Sequence, residues 1–382
     1  MPTYTNPSGT FNGTADDDVI IVNTAPTAIT YIDALGGRDS LLIQFDYAFG
    51  LTYDVADVFN SGVLTAGVGL SPFAPWSARA QNLESVELHG TSNNDTFRLQ
   101  LGSSAAGVSV ALDGGAGEDF LNLDWSRQSG GLNFILNGGA ITSNWGSFSS
   151  FERFEIHTGS GNDTITTGAA NDLIYSGTGF DTVNTGGGND QIFCQSSGGS
   201  FDGGDGSDYF GADFSAQTVG ISVALGAVLD LSNGLHVSNV ESFGIGGTSG
   251  NDSFTVMRSE ATVSGGAGFD TLTYAGPATA PLNFDLEVYN GNQLNGSIGF
   301  NFRFDTFESL SVTGTQFNDQ FRISATYAGQ NNSNIVFAAG AGTDLLIGDF
   351  RHFTGSSSLM LSADGSISSN RGRFQTGSKP SR

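Results

Sequence analysis

Between Thr158 and Gly211 the chain divides without a gap into nonapeptides: TGSGNDTIT, TGAANDLIY, SGTGFDTVN, TGGGNDQIF, CQSSGGSFD and GGDGSDYFG. Their sixth positions read Asp163, Asp172, Asp181, Asp190, Gly199 and Asp208, and their eighth positions Ile165, Ile174, Val183, Ile192, Phe201 and Phe210. Carboxylates recurring beside glycines supply what a hard cation needs. Ca²⁺ takes roughly six to eight oxygen ligands, and glycine-rich turns can aim main-chain carbonyls at it. The large apolar residue two places after each aspartate suits a short strand whose middle side chain faces a core. Turn and strand thus carry separate tasks: one offers oxygens, the other fixes where they stand.

A longer period runs over most of the chain. The segments NLESVELHGTSNNDTF, SFERFEIHTGSGNDTI, NVESFGIGGTSGNDSF and TFESLSVTGTQFNDQF align without gaps. In them Glu84, Glu152, Glu241 and Glu308 each stand 11 residues before Asp95, Asp163, Asp252 and Asp319. A partial copy, GTADDDVII, places Asp18 in the aspartate position. An apolar residue (Leu88, Ile156, Ile245, Val312) falls nine before the next one (Phe97, Ile165, Phe254, Phe321), so the strand register starts ahead of each turn. Every long unit has a second glycine turn, ending at Asp39, Asp119, Asp270 or Asp344. Alternating segments such as Leu132 to Leu136, Ile221 to Leu225 and Leu282 to Leu286 read as half-buried strands. The recurring glutamates are expected to face solvent or end a strand, with calcium ligation as the alternative.

The tandem stretch and Gly247 to Thr273, and more thinly the rest of the chain, resemble the repeats-in-toxin family, whose nonapeptide reads G-G-x-G-x-D-x-U-x with U a large apolar residue. The resemblance implies an all-β fold, a parallel β-roll or β-solenoid, in which turn n stacks on turn n+2 with Ca²⁺ between them. It implies as ligands the sixth-position aspartates and main-chain carbonyls of the turns. Stacking at 18 residues then pairs Asp163 with Asp181, Asp172 with Asp190, Asp190 with Asp208, and Asp252 with Asp270. The glycines of these turns are Gly159, Gly161, Gly168, Gly177, Gly179, Gly186, Gly188, Gly204, Gly206, Gly266 and Gly268. Gly199 leaves its site short of a carboxylate. The pairs Asp95 with Asp119, Asp319 with Asp344 and Asp18 with Asp39 are 24, 25 and 21 residues apart and need insertions. For them an Asx-turn capping its own backbone stands beside ligation as a reading.

Composition narrows the function. With 38 acidic residues against 13 basic ones and a net charge of −25, a nucleic acid or anionic membrane would be repelled over most of the surface. The 56 glycines and 30 phenylalanines describe many tight turns with bulky apolar side chains between them. Cys194 is the single cysteine, so no intrachain disulfide staples the fold. The longest apolar stretch, around Ile221 to Leu231, is too short to span a bilayer as a helix. No zinc-protease motif surrounds His89, His157, His236 or His352, and no nucleophile elbow is found. Arg98 and Arg322, three residues after turn aspartates, are expected to flank core strands.

These readings give one elongated solenoid with units at about 9–83, 84–150, 151–240, 241–306 and 307–366, small lateral loops at 72–77 and 291–301, and a basic tail at 367–382. The expected function is a calcium-binding structural, surface-layer or adhesive protein of the cell exterior. Cell-surface polysaccharide and self-association stand as partner classes. A carbohydrate-active enzyme on a β-solenoid is the alternative, since two groove carboxylates suffice for a glycosidase. The N-terminus shows neither a basic nor an apolar leader region, and the family resemblance implies type I export without a cleaved signal.

Overall fold

The computed structural model describes residues 2–7, 10–23, 30–44, 51–56, 64–70, 76–102, 108–195, 198–231, 234–276, 279–288, 293–299, 301–325, 334–349, 359–361, 366–369 and 372–375. Among them every regular element is a strand, and most pairings are parallel. The chain forms two compact units, Met1–Asp208 and Tyr209–Arg382.

In the first unit the chain alternates between two parallel sheets. Strands Thr164–Thr166 and Phe180–Asn184 pair on one sheet, with Ile165 opposite Val183. Strands Leu173–Tyr175 and Gln191–Cys194 pair on the other, with Ile174 opposite Ile192. Both pairings join residues 18 apart, an arrangement consistent with a β-roll. Each short strand buries a large apolar side chain: Ile165, Ile174, Val183 and Ile192 are all shut off from solvent. The same holds for the apolar pairs of the longer period, Leu88 with Phe97, Ile156 with Ile165, Ile245 with Phe254 and Val312 with Phe321.

The glycine turns end where the β-branched and aromatic residues begin, because an extended, pleated backbone suits those side chains and glycine-rich sequence does not hold it. Phenylalanine thickens the core outside the tandem block. Tyr53 stacks on Phe97 with ring centroids 4.3 Å apart, Phe97 meets Phe151 edge-on, and Phe284 packs against Phe321 and Phe337.

Antiparallel meanders interrupt the parallel stacks at three places, and a fourth joins Leu359–Leu361, Ser366–Ser369 and Gly372–Gln375. The first joins Leu51–Ala56, Leu64–Leu70 and Trp76–Leu83; the second Asn133–Asn137, Ala140–Ser143 and Ser147–Ser149; the third Asn283–Val288, Leu294–Ile298 and Phe302–Phe307. The third corrects the expected lateral loop at 291–301. Leu294 and Ile298 are buried four residues apart in a paired strand, a signal that the polar residues around them obscured. Trp76 and Ser77 likewise open a strand, and the rest of the loop expected at 72–77 lies outside the described residues. The tail at 367–382 is described only at 367–369 and 372–375, within strands Ser366–Ser369 and Gly372–Gln375.

Candidate metal centre

The turn aspartates of the tandem block all point inward. Asp163, Asp172, Asp181, Asp190 and Asp208 are at most 3% exposed. One carboxylate oxygen of each later turn accepts an amide from the turn 18 residues before it. The Asp163 N–H donates to Asp181 Oδ1 at 3.0 Å, that of Asp172 to Asp190 Oδ1 at 2.7 Å, and that of Asp190 to Asp208 Oδ1 at 2.8 Å. At the start of these ladders Leu132 N–H donates to Asp163 Oδ1 at 2.6 Å and Phe154 N–H to Asp172 Oδ1 at 2.8 Å.

A second ladder runs the opposite way. The Asn162 side-chain oxygen accepts the Phe180 N–H at 2.9 Å, Asn171 that of Asn189 at 2.8 Å, and Asn189 that of Ser207 at 3.0 Å. Sequence reasoning missed these asparagines. The Asn-Asp pair recurring at 162–163, 171–172 and 189–190 was the signal, since a side-chain amide oxygen next to a buried carboxylate has a neighbouring turn's amide within reach.

The other carboxylate oxygen is where the structure points to a cation. Oδ2 of Asp163, Asp172, Asp181, Asp190 and Asp208 is buried without a hydrogen-bond partner, and so is that of Asp39, Asp119 and Asp270. Burying an ionised oxygen unpaired costs free energy, so the carboxyl either keeps its proton or meets a cation. Burial pushes Asp172 and Asp181 up to about 6. It pushes Asp190, Asp119 and Asp270 up to about 7, where neighbouring carboxylates add to the effect.

Main-chain oxygens lie close by. At Gly186, with φ +90°, a Cβ would fall 2.2 Å from the Gly168 carbonyl oxygen; at Gly204, with φ +91°, it would fall 1.9 Å from that of Gly186. Only glycine fits either place. Among the described residues no group of three or more His, Cys, Asp or Glu side chains could hold a metal. A cation here therefore needs carbonyl oxygens to complete its shell. This donor set, one or two carboxylates with glycine carbonyls, fits Ca²⁺ and excludes the N/S coordination that Zn²⁺ favours.

Outside the block the turns divide into three kinds. At Asp18, Asp95, Asp252 and Asp319 a threonine four residues earlier satisfies Oδ2: the N–H of Thr14, Thr91, Thr248 and Thr315 donates at 2.6, 2.5, 2.7 and 2.6 Å. The hydroxyls of Thr248 and Thr315 also donate to Oδ1 of their aspartates, at 2.9 and 2.8 Å. At Asp18, Asp95, Asp319 and Asp252 the carboxylate thus caps its own turn through the amide four residues before it, a different bond from the Asx-turn expected at the first three.

Asp39, Asp119 and Asp270 form the second kind, with Oδ1 accepting the amides of Asp18, Asp95 and Asp252 and Oδ2 unsatisfied. Asp344 accepts the Asp319 amide at 2.9 Å but is only half-buried. The third kind belongs to the recurring glutamates. Glu84, Glu152 and Glu308 accept through Oε2 the amides of Asp39, Asp119 and Asp270 at 2.7, 2.8 and 2.8 Å.

The remaining residues of interest stand apart from the turns. Gly199 lies in strand register with Asp181 and brings no carboxylate. Arg98 and Arg322 are exposed on strands and face Asp54 at 3.9 Å and Asp285 at 3.6 Å. His89 and His157 bond to Glu87 and Glu155 two residues away on their own strands. Cys194 is buried. No helix among the described residues is long and apolar enough to cross a membrane.

No curated protein matches the chain. The family model of the RTX calcium-binding nonapeptide repeat, in four copies, matches residues 156–193, the stretch in which buried carboxylates without partners follow one another turn after turn. Those repeats bind Ca²⁺, and the match places an RTX-type repeat block at residues 156–193 of the chain.

Proposed function

We propose that the chain is a secreted calcium-binding β-solenoid protein, a structural, surface-layer or adhesive component whose folding is coupled to Ca²⁺. The unpartnered buried carboxylate oxygens carry this reading: in the tandem block alone there are five, at Asp163, Asp172, Asp181, Asp190 and Asp208. The ligand pairs are Asp163 with Asp181, Asp172 with Asp190 and Asp190 with Asp208, completed by carbonyls of turn glycines such as Gly168 and Gly186. Asp119 and Asp270 anchor further sites in the flanking units.

Two facts support coupling to folding. Net charge is −25, and adjacent strands of a sheet lie only ~4.8 Å apart, so stacked carboxylates repel unless a cation or proton stands between them. Each short strand also buries only one or two apolar side chains, little to set against ordering entropy. A ligand that prefers the folded chain stabilises it by roughly 2.7 kcal/mol per site at a hundredfold excess over its dissociation constant. Export in low intracellular calcium, followed by folding outside the cell, follows from this. Circular dichroism and melting in chelator and in excess Ca²⁺ test it: β-signal and melting temperature rise with Ca²⁺, and identical spectra and melting temperatures would overturn the coupling.

A further inference from the structure

The recurring glutamates share one local conformation. Asn82-Leu83-Glu84, Ser150-Phe151-Glu152, Asn239-Val240-Glu241 and Thr306-Phe307-Glu308 each begin with a residue at positive φ, 59°, 57°, 51° and 58°. Each continues with a fully buried apolar side chain and ends on the glutamate. The turn is short. Ser150, Phe151 and Glu152 alone link strand Ser147–Ser149 to Arg153–His157, whereas residues 114–119 link Ser109–Asp113 to Phe120–Asp124.

The glutamate nevertheless takes the aspartate's place in the stack. Strand register sets Ser85 against Ser40, Arg153 against Phe120 and Ser309 against Thr271, so Glu84, Glu152 and Glu308 stand opposite Asp39, Asp119 and Asp270. Both sides of the aspartate's backbone are held. Its N–H goes to Oε2, and its carbonyl receives the glutamate's N–H and that of the next residue: for Asp270, from Glu308 at 3.1 Å and Ser309 at 2.9 Å. One extra methylene lets the side chain reach the neighbouring amide from a backbone three residues shorter.

We propose that Glu152 and Glu308, with Glu84 in the equivalent place, are calcium ligands that close a second type of cation site, formed between a glycine turn and a three-residue glutamate turn. This rests on the calcium reading above and extends it to residues outside the nonapeptide motif. Asp119 and Asp270 are fully buried, and their Oδ2 atoms have no partner. Each converges with a carbonyl of the glutamate turn on one place. A Cβ on Gly114 would lie 1.9 Å from Ser150 O and 2.9 Å from Asp119 Oδ2, and a Cβ on Gly265 would lie 2.4 Å from Thr306 O and 2.9 Å from Asp270 Oδ2.

The amide bond engages one glutamate oxygen and does not need the charge. Glutamine would accept the same N–H without setting a second negative charge beside a buried carboxylate, yet all four positions hold glutamate. A cation shared by the two carboxylates removes that cost. Glu152 is exposed and Glu84 and Glu308 are half-buried, so the site is reached from solvent.

The test uses the full chain with Glu152→Gln, Glu308→Gln and the double variant, each titrated with Ca²⁺ by calorimetry and equilibrium dialysis. Glutamine retains the amide bond, and the β-signal in excess Ca²⁺ reports folding. Each single variant is expected to lose one bound Ca²⁺ or weaken it by about tenfold or more, and the double variant two. Variants that fold and match the wild type in stoichiometry and affinity would overturn the proposal and leave the glutamates as hydrogen-bond caps. A wild-type chain that binds no Ca²⁺ would instead overturn the underlying calcium reading.

Discussion

The tandem block and the flanking units solve the same stacking problem with different chemistry. In the block, five carboxylate turns, the first four of them consecutive, each leave an oxygen without a protein partner. In the flanks a threonine turn satisfies its own aspartate, a glycine turn leaves one oxygen over, and a glutamate turn closes the series: Asp18, Asp39 and Glu84; Asp95, Asp119 and Glu152; Asp252, Asp270 and Glu308. The side-chain ladder alone therefore does not require metal. Dependence on calcium is set by how many successive turns leave a buried carboxylate oxygen unpartnered, and it is greatest where the phenylalanine core is thinnest.

The largest contrast is expected in hydrogen exchange. On adding chelator, amides of strands Thr164–Thr166, Leu173–Tyr175, Phe180–Asn184 and Gln191–Cys194 should lose protection on the order of a hundredfold or more, the equivalent of one lost site at saturating calcium. Strands Ser85–His89, Thr96–Gln100, Ser109–Asp113 and Phe120–Asp124, which adjoin only the Asp119 site, should lose less protection than the block. Uniform loss over both regions would break the distinction.

Point substitution sharpens it. Asp172→Ala should remove or weaken one bound Ca²⁺, because its Oδ2 is buried without a partner. Asp285→Ala should leave the stoichiometry unchanged, since Asp285 lies exposed on a strand facing Arg322 at 3.6 Å. Equal calcium loss in the two variants, read by equilibrium dialysis, would sink the assignment of ligands to turns.

Proton linkage gives a third contrast. Asp172 and Asp181 titrate near 6 and Asp190 near 7 in the folded chain, above the ordinary 3.8, so between about pH 4 and 7 the metal-free fold binds more protons than the unfolded chain. In chelator its stability should fall as pH rises through that window. In Ca²⁺ the order reverses, because the cation displaces those protons and binds more weakly as pH drops. Melting temperatures at pH 5 and 7.5 in both conditions check the sign.

The smallest expected effect belongs to the threonine turn. Thr248→Val removes the hydroxyl that donates to Asp252 Oδ1 at 2.9 Å but keeps the backbone N–H. It should cost about 1 kcal/mol in calcium-saturated protein, read by denaturant unfolding, with calcium stoichiometry unchanged.

Much of this was legible in the sequence. The nine-residue spacing of aspartate and apolar residue identified both the inward-facing side chains and the 18-residue stacking, because period alone determines which positions superpose. Two features were harder to see. Thr14, Thr91, Thr248 and Thr315 stand in the place that Gly115, Gly266 and Gly340 hold in the glycine turns, and the consequence, an amide turned onto the carboxylate, is a matter of backbone orientation rather than composition. The glutamates aligned perfectly, yet their alignment was to the aspartate 11 residues ahead rather than to the one they contact, 33 to 45 residues behind. The meanders hid for a similar reason. An antiparallel excursion such as Asn133–Asn137 with Ala140–Ser143 alternates like any half-buried strand, and its direction is not written in the pattern.

The unequal reach of the ladder bonds has a consequence for the order in which the chain folds. In the tandem block every step joins residues 18 apart, while the steps onto Asp119, Glu152 and Glu84 span 24, 33 and 45 residues. Closing a 45-residue loop costs ~0.8 kcal/mol more than closing one of 18, and each block step needs only its immediate predecessor. The block is thus the region with the least separation between contacting residues, the property that accompanies fast folding, yet also the one held back until carboxylate repulsion is relieved. Calcium arrival would then act as a starting signal. Winding begins between Thr158 and Asp208, and the slower, longer closures of the neighbouring meanders follow onto an edge already built.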